Sequence, residues 1–300
     1  MGRGHARVVL SVGLPLAFVV GGAAMGRGTD TARLPEGTAI HRDLAYVPDG
    51  HPRQKLDLYL PRAEGPLPLV VYVHGGAFRA GDKGEWPPLE YVAQGYALAA
   101  INYRLSQHAL FPAQIEDCKA AVRWLRAHAA EYGLAPDRFA AGGTSAGGHL
   151  VAMLGTTGHV SELDIGEHLD VSSRVQAVLD YFGPTDFLQM DAHRLPNGMV
   201  HDTPGSPESQ LVGGPIQENP DKVARANPMT YVTAEAPPFL IVHGDQDPLV
   251  PHHQSELLAA ALKKAGVPVT FYTVEGGGHG GFEDPKVDEL TKAFLEKYLR

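Results

Sequence analysis

The sequence contains a single cysteine among its 300 residues, so no intramolecular disulfide and no cysteine-based zinc site can form. It also lacks runs of lysine or arginine, and its formal net charge of −9 offers nothing that attracts nucleic acid. No GxGxxG opens a helix after the first strand, and no GK[ST] occurs, so the common nucleotide-binding motifs are missing. The sequence therefore predicts no nucleic-acid partner and no nucleotide cofactor.

A long hydrophobic run is missing as well. The apolar stretch at residues 8–20 is shorter than the ~20 residues that a membrane span needs. Arg3 and Arg7 precede this stretch and small residues follow it at 21–24, which is the layout of a secretory signal peptide. We predict a signal peptide over residues 1–24 and a secreted or periplasmic protein without stable membrane insertion after cleavage. An uncleaved anchor, or a cytoplasmic protein if the segment is no signal, is the alternative.

From residue 38 to residue 300, strand-like and helix-like segments alternate, and 44% apolar residues suffice for one large core. The predicted strands are at residues 40–47, 55–60, 69–74, 97–102, 139–142, 175–181, 239–243 and 269–274. The predicted helices are at residues 112–132, 146–154, 254–265 and 285–299. This order indicates an α/β fold with a mostly parallel, eight-stranded, doubly wound sheet. Residues 184–238 interrupt the alternation with Pro, Gly, Asn and Asp, and we predict a lid-like insertion there.

The chemistry centres on a GTSAG motif at residues 143–147, between a predicted strand and a predicted helix. A GxSxG motif in this context makes a sharp turn that exposes its serine, here Ser145, and glycines allow the close approach. A serine hydroxyl needs a base, and in this arrangement the acid and then the histidine follow the serine in the chain. His279, in the glycine-rich loop after the last strand, is the predicted base. Asp247 fits the GxxDxxV spacing of the predicted acid, whereas we expect Asp245 to cap its own turn.

A developing oxyanion needs backbone N–H donors that are already in position. Ala146, directly after the nucleophile, supplies one such donor, and the HGGAF turn at residues 74–78 supplies Gly75 and Gly76. We expect His74 to brace this turn. The adjacent pair His252 and His253 has no third ligand nearby, so no metal site is predicted.

Four motifs, HGGAF, GTSAGGHL, HGDQDPLVP and GGGHG, occur in this order. Together with NYRL, FPAQIED and YGLAPDR, they resemble the α/β-hydrolase esterases related to hormone-sensitive lipase, and most of all the BD-FAE-like feruloyl and acetylxylan esterases. The resemblance spans about residues 42–298. It implies hydrolysis of small-molecule or carbohydrate esters without a cofactor, by the triad Ser145, Asp247 and His279. It also implies oxyanion donors at Gly75, Gly76 and Ala146.

One departure from that family is the HGGAF turn, since the family commonly has a third glycine and then tryptophan where this chain has Ala77 and Phe78. Phe78 and Trp86 are the predicted substrate-pocket residues, together with the lid-like insertion. An arylformamidase or a lipase-type hydrolase would use the same triad, and an inactive hydrolase fold that serves as a binding protein is the alternative from another class.

Overall fold

The computed structural model describes residues 34–300, which contain one eight-stranded sheet. Its strands are β1 (Ala39–Ala45), β2 (Lys55–Leu60), β3 (Leu67–Val73), β4 (Ala97–Ile101), β5 (Leu134–Thr144), β6 (Ala177–Tyr181), β7 (Phe239–Gly244) and β8 (Val269–Val274). The spatial order is β1-β2-β4-β3-β5-β6-β7-β8. The pairs β1–β2 and β2–β4 are antiparallel, and every other pair in the sheet is parallel. The predicted eight-stranded, mostly parallel α/β sheet is confirmed.

The connections between the parallel strands contain helices, and a last helix follows β8. They are α1 (Glu90–Ala93), α2 (Ala113–Ala127), α3 (Ala146–Thr156), α4 (Met190–His193), α5 (Pro207–Val212), α6 (Pro220–Ala226), α7 (His253–Lys264) and α8 (Pro285–Leu299). The short helix α1 was not predicted, and α2 ends before the predicted boundary at Tyr132. Turns fill that interval up to Gly133, whose φ of +63° lies in the left-handed region.

The parallel strands are apolar on both faces because each face is covered. In β4, Ala97, Ala99 and Ile101 belong to one buried cluster, whereas Leu98 and Ala100 belong to the other. Helices α2, α3 and α7 contribute to the first cluster, and α1 and α8 contribute to the second. Continuous apolar runs in the sequence therefore correspond to central strands. Because helices cover both faces of the sheet, the loops at the carboxyl ends of these strands are the usual place for functional residues.

The segment at residues 184–238 is more regular than its composition indicates. It contains α4, α5 and α6 and three short 3₁₀ helices, at Phe187–Gln189, Ile216–Glu218 and Pro228–Tyr231. Phe187, Met190, Leu211 and Ile216 are fully buried in the first cluster. Proline is the first residue of three of these helices, α5, α6 and the one at Pro228–Tyr231, and helices this short show no long apolar period in the sequence. Whether this segment acts as a lid stays a prediction.

The predicted signal peptide at residues 1–24 lies outside the described residues. Between residues 34 and 300, the structure contains no helix with the length and apolar character of a membrane span.

Cys118 gives a direct test of how α2 packs. Its side chain is completely buried, and burial raises the pKa of the thiol well above its ordinary value. We expect an aromatic disulfide reagent to modify the native protein at least ~100-fold more slowly than the guanidinium-unfolded chain, because only an accessible thiolate reacts. The release of the reagent's chromophore measures both rates. Equal rates would contradict the buried position of Cys118.

Candidate active site

The loops that follow β3, β5, β7 and β8 meet at one edge of the sheet, because these strands are parallel. This edge is the usual ligand position in an open α/β sheet. The four loops carry the HGGAF turn, Ser145, Asp247 and His279, respectively.

Ser145 occupies a strained turn between β5 and α3, with φ of 55° and ψ of −121°. Its N–H donates to the carbonyl oxygen of Tyr181 at 2.9 Å, which fixes the turn to the end of β6. A Cβ at Gly147 would lie 2.0 Å from the carbonyl oxygen of Val73, so only glycine allows α3 to start this close to β3. The strain is the kind that is retained where a side chain must be exposed at a reacting position.

The structure brings Ser145, His279 and Asp247 into one chain of hydrogen bonds. His279 Nε2 lies 2.9 Å from Ser145 Oγ, and His279 Nδ1 lies 2.6 Å from Asp247 Oδ2. A carboxylate only accepts, so Nδ1 carries the proton and Nε2 is free to accept the serine proton. The ring of Phe182 packs against the His279 ring at 4.7 Å between centroids and limits its rotation.

Asp247 is buried, yet it is well supplied with donors. Its Oδ1 accepts the N–H groups of Leu249 at 2.7 Å and Val250 at 2.9 Å, and its Oδ2 also lies 3.1 Å from His243 Nε2. Burial by itself would raise the pKa of Asp247, but the hydrogen bonds from His243 and His279 hold it well below its ordinary value. The carboxyl group therefore remains ionised and can stabilise a positive His279.

Asp245 has a different position from the one expected. Its Oδ1 accepts the N–H of Gly276 at 2.7 Å, so it caps the glycine-rich loop after β8 and not its own turn. The sequence could not show this pairing, because the two loops meet only through the pairing of β7 with β8. Asp245 thus joins the acid loop to the His279 loop and makes no hydrogen bond to the imidazole of His279.

The HGGAF turn lies directly beside the serine. A Cβ at Gly75 would lie 3.4 Å from Ser145 Cβ, and Gly76 has a φ of +107°. In the part of the chain that the structure describes, the N–H groups of Gly75, Gly76 and Ala146 donate to no protein acceptor. The N–H of Ala77, at a φ of +55°, is free in the same way. Unpaired N–H groups beside a nucleophile are what an oxyanion hole requires.

His74 holds this turn from behind, as expected, but through a partner that was not predicted. His74 Nε2 accepts from Arg53 Nη2 at 3.0 Å, so Nδ1 carries the proton and faces the carbonyl oxygen of Gly75 at 2.6 Å. Burial lowers the pKa of His74 to about 4, which keeps the ring neutral. Arg53 also donates to the carbonyl oxygens of Tyr103 and Gly81, and thereby connects the β1–β2 hairpin to the turn.

The two predicted pocket residues lie in opposite environments. Trp86 is 74% exposed, whereas Phe78 is only 1% exposed. The Phe78 ring packs against His149 and Phe187 at 5.4 and 6.4 Å between centroids. Phe78 therefore supports the oxyanion turn from below and has almost no surface for a substrate to touch, which corrects its predicted role.

Two residues in contact with the site were missed. His243 touches Asp247, and Phe182 touches His279. Both positions follow from the strand assignments, because His243 is near the carboxyl end of β7 and Phe182 directly follows β6. Among residues 34–300, no group of three or more His, Cys, Asp or Glu side chains is arranged to hold a metal ion.

The family model of BD-FAE matches residues 56–262. The chain belongs to the BD-FAE family. A carbohydrate esterase from gut microbiota, solved in a truncated form, has 33% identity and a TM-score of 0.80, over 87% of this chain and 97% of that one. The acetyl ester-xyloside bifunctional hydrolase from Caldicellulosiruptor lactoaceticus has 26% identity and a TM-score of 0.68, over 81% and 86% of the two chains. The α/β-hydrolase fold and the family resemblance are confirmed.

Esterase LipQ of Mycobacterium tuberculosis is 32% identical over 249 residues, which are 80% of this chain and 57% of LipQ. The chain spans only 52% to 60% of the length of the first such relatives. The names of these relatives and of the similar solved structures agree on one class of reaction, the hydrolysis of esters.

Asp247 and Asp245 form a matched pair for testing the site. We expect Asp247→Asn to lower kcat/KM on p-nitrophenyl acetate by about 10⁴-fold, because an amide no longer fixes the Nδ1–H tautomer of His279. Asp245→Asn keeps an acceptor for Gly276 and should cost less than about tenfold. Initial rates and thermal unfolding of both variants measure this difference. The opposite ranking would exchange the roles of the two residues.

Proposed function

We propose that this BD-FAE member hydrolyses carboxylic esters by a serine mechanism, with Ser145 as nucleophile, His279 as general base and Asp247 as orienting acid. The observation that carries the proposal is the continuous hydrogen-bond chain from Ser145 Oγ to Asp247 Oδ2, next to unpaired backbone N–H groups. Neither part alone specifies acyl transfer, but together they supply a nucleophile, a base and charge stabilisation.

The reaction proceeds in two acyl-transfer steps. Ser145 Oγ attacks the ester carbonyl carbon while His279 Nε2 takes the hydroxyl proton. The tetrahedral oxyanion accepts hydrogen bonds from the N–H groups of Gly75, Gly76 and Ala146. As the carbon–oxygen bond to the alcohol breaks, His279 returns the proton to the leaving oxygen. Water then attacks the acyl-enzyme while His279 takes its proton. As the bond between the acyl carbon and Ser145 Oγ breaks, His279 returns the proton to Oγ and the carboxylic acid leaves.

The proposed substrates are small acyl or plant-polysaccharide-linked esters, such as acetyl or feruloyl esters of a sugar. Support comes from the carbohydrate esterase and the acetyl ester-xyloside hydrolase among the similar structures. Trp86 is exposed on the loop that follows the oxyanion turn, and exposed tryptophan suits contact with an amphipathic sugar. Arylformamidase and lipase-type activity on the same triad remain the alternatives.

The segment at residues 184–238 is the proposed lid. Its hydrogen bonds reach two sides of the site: Arg79 Nη1 donates to the carbonyl oxygen of Gly205, and the N–H of Met199 donates to that of Pro248. The lid thus contacts the loop after the oxyanion turn and the loop that carries Asp247. We also propose export of the protein, which suits a polysaccharide substrate and rests on the pattern of residues 1–24.

Replacement of the nucleophile tests the mechanism. We expect Ser145→Ala to lower kcat/KM on p-nitrophenyl acetate by about 10⁴-fold or more, since no other group can form the acyl-enzyme. The wild-type chain should gain one fluorophosphonate adduct by mass spectrometry, and Ser145→Ala should gain none. Near-normal turnover in the variant would remove Ser145 from the mechanism, and an unlabelled, inactive wild type would favour a binding protein.

A substrate panel tests the proposed ester class. We expect the ratio of kcat/KM for p-nitrophenyl acetate over the octanoate to exceed about tenfold, and acetate or ferulate to be released from acetylated xylan or methyl ferulate. Preference for octanoate would favour the lipase-type alternative. Faster cleavage of an aryl formamide than of any ester would favour arylformamidase, and Ser145→Ala is the blank in each assay.

A further inference from the structure

One oxygen of Asp247 is shared by two imidazole rings. Asp247 Oδ2 lies 2.6 Å from His279 Nδ1 and 3.1 Å from Nε2 of His243, whose side chain is completely buried. The mechanism uses the first ring and leaves the second without a role. A buried histidine on the acid of a triad is in a position to act on the base through that acid.

The contacts of His243 determine where its proton lies. Its Nε2 faces two acceptors, Asp247 Oδ2 and the carbonyl oxygen of Val250 at 3.0 Å, so Nε2 is protonated. Its Nδ1 lies 2.7 Å from the hydroxyl oxygen of Ser255 on α7, which donates to a neutral ring. Ser255 is itself completely buried. The ring is therefore fixed on both sides, with its N–H directed at the acid.

We propose that His243 is a positioning residue that moderates Asp247: its N–H takes a share of the carboxylate charge and thereby sets how strongly Asp247 attracts the proton of His279. Without that donor, Oδ2 would interact with His279 alone and would stabilise its protonated form more strongly. A histidine that holds its proton too strongly is unprotonated over a narrower pH range and is a less available base. This inference rests on the proposed function of the triad.

The other titratable groups near His243 and Asp247 are His252, Glu256 and Asp245. His252 lies on the far side of His243, with ring centroids 5.5 Å apart, and its Nε2 lies 2.9 Å from Thr273 Oγ1. Two carboxylates interact electrostatically with His252: Glu256, in the first turn of α7, and Asp245, in the loop that carries Asp247. Within residues 34–300, neither carboxylate forms a hydrogen bond to His243 or His279, and Asp247 is the group that contacts both rings.

The geometry offers a matched pair of substitutions. A glutamine side chain reaches as far as Nε2 of histidine and carries two N–H groups, which suit the two acceptors. An asparagine side chain reaches only as far as Nδ1 and leaves Asp247 without this donor. His243→Gln thus retains the hydrogen bond to Asp247. His243→Asn removes this hydrogen bond but introduces the same carboxamide group.

The test is the pH dependence of kcat/KM for p-nitrophenyl acetate. In His243→Asn we expect the acid limb to move to higher pH by about 0.5 unit or more, with kcat about tenfold lower. In His243→Gln the limb should stay within about 0.2 unit of the wild type. Ser255→Ala is the structural control, because it disturbs the same buried cluster but leaves the Nε2–H on Asp247, and its limb should not move.

Thermal unfolding of each variant separates lost stability from a changed profile. The proposal would be overturned if folded His243→Asn kept the acid limb of its pH profile at the wild-type position. Equal shifts of the limb in His243→Asn and His243→Gln would overturn it as well. If the wild type itself showed no Ser145-dependent turnover, the proposed function would fail first. The two failures are therefore distinguishable.

Discussion

The close approach of α3 to the end of β3 is the constraint on which the site depends. Because Gly147 has no side chain, the start of α3 can lie against the carbonyl oxygen of Val73, and the chain must turn sharply at Ser145. This turn places the serine next to Gly75, directly after β3. Nucleophile and oxyanion donors are thus positioned by one packing contact, between the start of α3 and the end of β3, and not by two independent loops.

The two supports of the site come from opposite ends of the sheet. Arg53, from the β1–β2 hairpin, holds His74 and the oxyanion turn in place. On the other side, Asp245 ties the acid loop to the loop that carries His279, at the β7–β8 edge. Each support crosses between loops that are far apart in sequence. The outer hairpin and the edge strands therefore help to hold the loops that carry the oxyanion turn and His279.

The strands of the sheet and the candidate residues of the site were predictable where they depend on local sequence pattern. Continuous apolar runs predicted the central strands, and the GTSAG and GGGHG motifs predicted Ser145 and His279, because a sharp turn and a flexible loop need glycines. The contact between two loops was not predictable: Asp245 caps the turn after β8, which approaches it only through the pairing of β7 with β8. Phe78 shows the same limit, since its burial depends on Phe187 in the segment that sequence periodicity could not describe.

Two buried carboxyl groups show what keeps the acid ionised. Asp180 on β6 accepts one N–H, from Gly183 at 3.0 Å, and among the described residues its Oδ2 has no partner. Burial raises the pKa of Asp180 to about 7. Asp247 is also buried, yet four donors from two backbone amides and two imidazoles hold its pKa below the ordinary value. Hydrogen bonds, and not exposure, therefore make Asp247 an anion, so its two imidazole partners belong to one electrostatic unit.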